Sequence, residues 1–157
     1  MVHRLVANLY SNAVHEDNFF VSSTTGFLTS PKVRIRLVRD NEGVRIIFRD
    51  AGKGMSPETL ARVRGVLADP NYPRFTTKEQ TGGLMHGRGL RTIRRMCEAL
   101  GASITVESRL QNATVPDAAR EFVTTFTITL PAELPAHATE PSAAAPPAPG
   151  AEDADRE

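Results

Sequence analysis

At 157 residues, 40% of them hydrophobic, the chain has enough apolar material for one two-layer domain. The formal net charge is +1, and because residues 141 to 157 sum to −3 the remainder stands near +4, too mildly basic to argue for nucleic acid. A single cysteine, Cys97, excludes an internal disulfide and a CxxC zinc site, and no apolar run reaches membrane-spanning length or forms the core of a signal peptide. These features fit a cytoplasmic protein with no membrane contact.

The chain opens on VHRLVANLYSNAVHED, where Leu5, Val6, Leu9 and Ala13 recur at helical spacing. Residues 18 to 32, with FFVSSTTGFLTSP, mix Ser, Thr and Gly into apolar residues and read as loop or weak strand. In VRIRLVRDNEGVRIIFRD, Val33, Ile35 and Leu37 alternate with arginines, a turn lies at Asp40 to Gly43, and Val44, Ile46 and Phe48 continue the alternation. This predicts an antiparallel hairpin with one buried face.

A helix is expected from about Pro57 to Leu67, with Ser56 as N-cap, proline at the first helical position and Glu58 in the first turn. DPNYPRFTTKEQTGGLMHGRG has little periodicity and reads as a long functional loop. Leu90, Ile93, Met96, Cys97 and Leu100 then mark an amphipathic helix ended at Gly101 by a left-handed cap. Two strands, SITVES and EFVTTFTITL, close the core, and the Pro/Ala-rich, finally acidic stretch beyond Pro131 is too poor in apolar residues to order itself. The division is thus 1–131 as one domain and 132–157 as a tail.

Three segments carry chemistry. In DAGKGM, Gly52 and Gly54 open backbone conformations closed to other residues and allow close approach to a flat ligand, while Asp50 offers a carboxylate acceptor suited to an exocyclic amine. Taken alone, the same residues also describe a tight strand-to-helix turn with a solvated aspartate. In HGRGL, Gly87 and Gly89 precede a helix whose free N–H groups suit phosphate oxygens, with Arg88 and Arg91 adding charge; a glycine hinge is the plainer alternative. In NLYSN, Asn8 and Asn12 share one helical face, and Asn12 is a candidate oxygen ligand for magnesium, or both are simply the polar side of the helix.

The order of these segments resembles the Bergerat-type ATP-binding domain of sensor histidine kinases, gyrase B-type topoisomerases and MutL-type proteins, over residues 3 to 131. NLYSNAV is similar to the N box of histidine kinase catalytic domains, particularly of the nitrogen-regulation sensor type. DAGKGM is similar to their first glycine box, PRFTTKE to the loop before the lid, and HGRGLRTIRRMCEALGASITVES to the second glycine box with its helix and strand. The resemblance implies an α+β two-layer fold, a mostly antiparallel sheet of four to five strands covered on one face by three helices. It implies ATP and Mg2+ as cofactors. Asp50 would contact adenine, Gly52, Gly54 and Met55 would shape its pocket, Asn12 would hold the metal, and Gly87, Arg88, Gly89 and Leu90 would surround the phosphates.

Asn8 and Lys78 are the implied catalytic positions. Related ATPases usually place a glutamate general base at the Asn8 position; an amide has no such basicity, so hydrolysis should be slow. Lys78 reaches the terminal phosphate or the catalytic partner, or is an exposed loop lysine. His15 stands where kinases often carry a phosphate-contacting lysine or arginine, and Met85 and Arg88 depart from the usual second glycine box.

The chain begins at the N-box helix, so the family's preceding strand and phosphoacceptor hairpin are expected to be missing. None of His3, His15, His86 and His137 has the acidic, proline-followed helical context of an acceptor. The expected function is therefore γ-phosphoryl transfer from ATP to a histidine on a separate partner or missing domain, with a response regulator downstream. The alternative is a non-catalytic, nucleotide-dependent regulator of another protein, and an anti-sigma-type kinase ranks behind both.

Overall fold

The computed structural model describes residues 1–15, 18–41, 43–73, 89–112 and 115–132. Helix α1 (Val2–Ala13) forms first, and its stripe of Leu5, Leu9 and Ala13 is buried as the spacing predicts. The weak apolar stretch that follows pairs into a short antiparallel ribbon, β1 (Phe20–Val21) with β2 (Leu28–Thr29).

The main sheet is wholly antiparallel. Its strands are β3 (Val33–Asp40), β4 (Gly43–Asp50), β5 (Ser103–Ser108) and β6 (Thr124–Pro131), in the spatial order β3-β4-β6-β5. The chain's last strand therefore lies between β4 and β5, and its side chains alternate strictly between the core and the open face. Helices α2 (Pro57–Ala68) and α3 (Gly89–Ala99) join α1 on one side, so the fold is the α+β, helix-on-sheet architecture expected.

Local chemistry sets the helix ends. Ser56 Oγ accepts from the Thr59 amide at 3.1 Å, satisfying one free donor of α2. At the end of α3, Gly101 takes φ +63°, the Ala102 amide donates to the Cys97 carbonyl at 2.8 Å and the Gly101 amide to the Glu98 carbonyl at 3.0 Å, the paired bonds of a Schellman cap. Ile46, Phe48, Phe126 and Ile128 from the two central strands meet Leu5, Leu9 and Ile93 from the helices in one core. Cys97 lies in that core, where burial and then Glu98 push its thiol up to about 11, so it stays protonated.

One expectation fails. The apolar row of β3 does not form a buried face: Ile35 is 45% and Leu37 69% exposed, although their partners Phe48 and Ile46 across the ladder are sealed. The reason is placement. Both α2 and α3 pack toward β5, at the other edge of the sheet, and among the described residues neither lies over β3.

Candidate functional site

The antiparallel order brings the end of β4 and of β5 and the start of β6 to one end of the sheet. Register then sets Asp50 opposite Thr124 and Thr124 opposite Ser108, on the helix-facing side that also carries Phe48, Phe126 and Val106. Thr124 and Ser108 hydroxyls are 2.9 Å apart, and Ser108 Oγ accepts from the Met55 amide at 3.0 Å. A polar row thus replaces the apolar core at its last layer.

Asp50 is only 3% exposed, which overturns the reading of a solvated turn aspartate. Burial raises its pKa, and hydrogen bonds from Asn18 and from the Gly52 amide oppose that rise. Both bonds fall on the same oxygen: Asn18 Nδ2 donates to Oδ1 at 3.1 Å and the Gly52 amide at 3.0 Å. Among the described residues nothing donates to Oδ2, leaving a buried carboxylate with one acceptor edge uncommitted.

Asn18 is the residue that sequence reasoning missed. Its Nδ2 also donates to the Ala13 carbonyl at 2.8 Å, and its Oδ1 accepts from the Lys53 amide at 3.2 Å, so one amide clamps the end of α1 to the DAGKG turn. A Cβ on Gly52 would stand 2.0 Å from Asn18 Oδ1, and one on Gly54, at φ +75°, would stand 1.8 Å from the Arg109 carbonyl oxygen. In this structure the two glycines make room for protein: for the Asn18 amide and for the chain leaving β5.

The turn is also held from behind. Gln111 Nε2 donates to the Gly52 carbonyl at 3.1 Å. Arg120, 8% exposed and stacked 3.7 Å above the Phe20 ring, reaches the carbonyls of Ala51 and Gly52 at 3.5 and 3.4 Å. Asp117, which begins a 3-10 turn (Asp117–Ala119), accepts from the Ser22 hydroxyl and from the Ser23 amide at 3.0 Å, tying the β1–β2 ribbon to the same region. No spacing rule in the sequence points to Asn18, Gln111 or Arg120; Thr124 and Ser108 become visible only once the β4, β6 and β5 registers are known.

The other predicted residues fall into place unevenly. Asn12 lies at the end of α1 beside Gly89, the first residue of α3, where a Cβ would be 3.1 Å from Asn12 Oδ1. Asn12, Gly89 and Asp50 are therefore linked through Ala13 and Asn18. Asn8 lies one turn earlier, and its Nδ2 donates back to the Arg4 carbonyl at 2.7 Å rather than toward Asp50. Met55 and Leu90 are half-buried and pack against the core edge. Arg91 donates to the Tyr72 carbonyl at 2.6 Å, anchoring the segment after α2. Lys78, Gly87, Arg88, Met85 and His86 lie outside the described residues, as does most of the long loop.

A family model described as histidine kinase-, DNA gyrase B- and HSP90-like ATPase matches residues 1–134. The chain belongs to this family. A solved structure, the mycobacterial sensor histidine kinase MprB, shares the fold of this ATPase-family chain with a TM-score of 0.50 and 23% identity, over 82% of this chain and 68% of that one. No curated protein matches by sequence. Among the described residues no helix is long and apolar enough to cross a membrane.

A magnesium ion suits this site in one way. Among the described residues there is no cluster of three or more His, Cys, Asp or Glu. A lone amide oxygen at Asn12, beside a helix N-terminus, fits an ion carried mainly by phosphates and water.

Proposed function

We propose that this ATPase-family chain is the ATP-binding catalytic module of a histidine kinase system, moving the γ-phosphoryl group to a histidine on another polypeptide or segment. The observation that carries the reading is the buried Asp50 carboxylate with both internal hydrogen bonds on Oδ1. Oδ2 is then the natural acceptor for the adenine amino group, a charge-assisted bond in a low-dielectric setting. Thr124 and Ser108 extend the polar edge beside it.

Asn12 would hold Mg2+, which on binding neutralises phosphate charge. The N-terminal turn of α3, from Gly89 and Leu90, offers backbone N–H groups to phosphate oxygens. Gly87, Arg88 and Lys78 complete the phosphate side in this proposal. In the transfer, an imidazole nitrogen of the partner histidine forms a bond to the γ-phosphorus, the bond from that phosphorus to the β–γ bridging oxygen breaks, ADP leaves and the imidazole proton passes to solvent. Positioning and charge stabilisation supply the rate. Asn8 carries no basic group, so water is a poor competitor for the phosphoryl group. A response regulator would receive the group from the phosphohistidine.

The test is calorimetry of an ATP analogue with magnesium against the wild type and Asp50→Asn. In the variant Oδ1 still accepts from Gly52, but an amide NH2 faces the adenine amine. Loss of a hydrogen bond to a charged group, about 1.5–3 kcal/mol, predicts roughly 10- to 150-fold weaker binding; unchanged affinity removes the adenine assignment. Labelled ATP with a histidine-bearing helical hairpin tests the transfer, and nucleotide binding with no phosphohistidine would leave the non-catalytic regulator.

A further inference from the structure

Asn18 carries three side-chain hydrogen bonds of fixed polarity, and their pattern assigns it a task. Its Nδ2 donates to the Ala13 carbonyl at 2.8 Å and to Asp50 Oδ1 at 3.1 Å, while its Oδ1 accepts from the Lys53 amide at 3.2 Å. Two donors and one acceptor on one planar group is what a primary amide supplies. The flipped amide would set its oxygen against a carbonyl and a carboxylate and its NH2 against an N–H, so the network permits a single orientation. The Asn18 backbone amide donates to the His15 carbonyl at 2.8 Å, which holds the base of the side chain as well.

The carboxylate it grips would otherwise be loosely aimed. The terminal torsion of an aspartate is broad and close to two-fold, so the bond from the Gly52 amide, two residues on, leaves the carboxylate plane free to swing. A second donor, from a residue 32 positions away, meets Oδ1 from another direction and leaves Oδ2 as the free edge. Burial raises the Asp50 pKa and the Asn18 bond opposes that rise, so loss of the bond favours a proton where the adenine amine needs an acceptor.

Gly52 belongs to the same arrangement. A Cβ there would stand no more than 2.5 Å from each of Asn18 Oδ1, Cγ and Nδ2, yet Gly52 is not among the positive-φ glycines. Gly52→Ala therefore meets no left-handed backbone strain, and room for its methyl group comes only when the Asn18 amide swings away and gives up its bonds.

We infer that Asn18 is a positioning residue for base recognition: by holding Asp50 Oδ1 it aims Oδ2 at the ligand and sets the preference for a purine that bears an exocyclic amine. The inference rests on the nucleotide reading of Asp50 and extends it to a side chain that acts through Asp50.

The test is calorimetry on the full chain with magnesium and either ATP or purine riboside triphosphate, which lacks the 6-amino group. The wild type is expected to prefer ATP roughly tenfold or more, the weight of one hydrogen bond to a charged group. Asn18→Ala should bring the two ligands within about threefold of each other, by weakening ATP while leaving the analogue nearly unchanged. Gly52→Ala should do the same with Asn18 still in the sequence, and circular dichroism checks the folding of both. Carbon-13 NMR of the Asp50 carboxyl in the nucleotide-free chain, assigned by its loss in Asp50→Asn, should titrate higher in both variants than in the wild type. Lys53 on the turn and Arg120 behind it are common to all three chains, so the difference reports on Asn18. A purely structural Asn18 would weaken both ligands alike and keep their ratio; that result, or an unmoved carboxyl titration, overturns the inference and leaves the adenine assignment standing. A wild type that binds both ligands equally removes the adenine assignment itself, and the inference with it.

Discussion

Asp50 shows how one residue can be arranged against stability. Its folded pKa is raised by burial, so between the ordinary carboxylate value and that raised value the native state holds more protons than the unfolded chain. Stability from this group is therefore highest in acid and falls as pH rises through the raised pKa. The expected outcome is that Asp50→Asn equals or exceeds the wild type in urea denaturation at neutral pH, with the difference shrinking as pH drops toward 4. A difference that grows on acidification would contradict it. Asp50 was legible as a candidate only together with the other segments, since the DAGKGM turn alone also described a solvated aspartate and it was the order of the segments that resembled an ATP-binding domain. Asn18 was not, because an asparagine after a helix has many ordinary uses, and only its contact with a carboxylate 32 positions away gives it this one.

At the scale of elements, the sequence was most readable where neighbours along the chain decide the outcome. The Ser56 cap, the Schellman bonds at Gly101 and the strict alternation of β6 all follow from residues within a few positions of each other. The DAGKG turn mixes local and distant causes. Gly54 needs its positive φ locally, but what forbids a side chain there is the Arg109 carbonyl at the far end of β5. Gly54→Ala is accordingly expected to cost about 2 kcal/mol or more, from backbone strain plus a clash with backbone that cannot rotate away. Chemical denaturation reads this, and a loss below about 0.5 kcal/mol would mean that the turn relaxes freely. The hairpin of β3 and β4 was right in pairing, in turn and in the burial of Ile46 and Phe48 on β4, but wrong for Ile35 and Leu37 on β3, because alternation reports which side chains share a face and says nothing of whether a helix lies over all of that face.

For the whole molecule, the central pair β4 and β6 joins core and site, since the same helix-side row that packs Phe48 and Phe126 ends in Asp50 and Thr124. Phe48→Ala should cost about 3–5 kcal/mol, a large part of the stability of an ordinary domain, and should weaken nucleotide binding along with the fold. Denaturation and ligand titration on the same sample check it; binding retained at full affinity in a strongly destabilised variant would separate site from core. The sequence by itself determined the elements, their caps, the antiparallel character and the candidate segments, because periodicity and capping are short-range. Only the tertiary structure decided that β6 runs between β4 and β5, that Thr124 and Ser108 join Asp50, that Asn18 closes the turn, and that Ile35 and Leu37 are exposed. Those outcomes depend on strand order and helix placement, which are settled by packing between residues far apart in the chain.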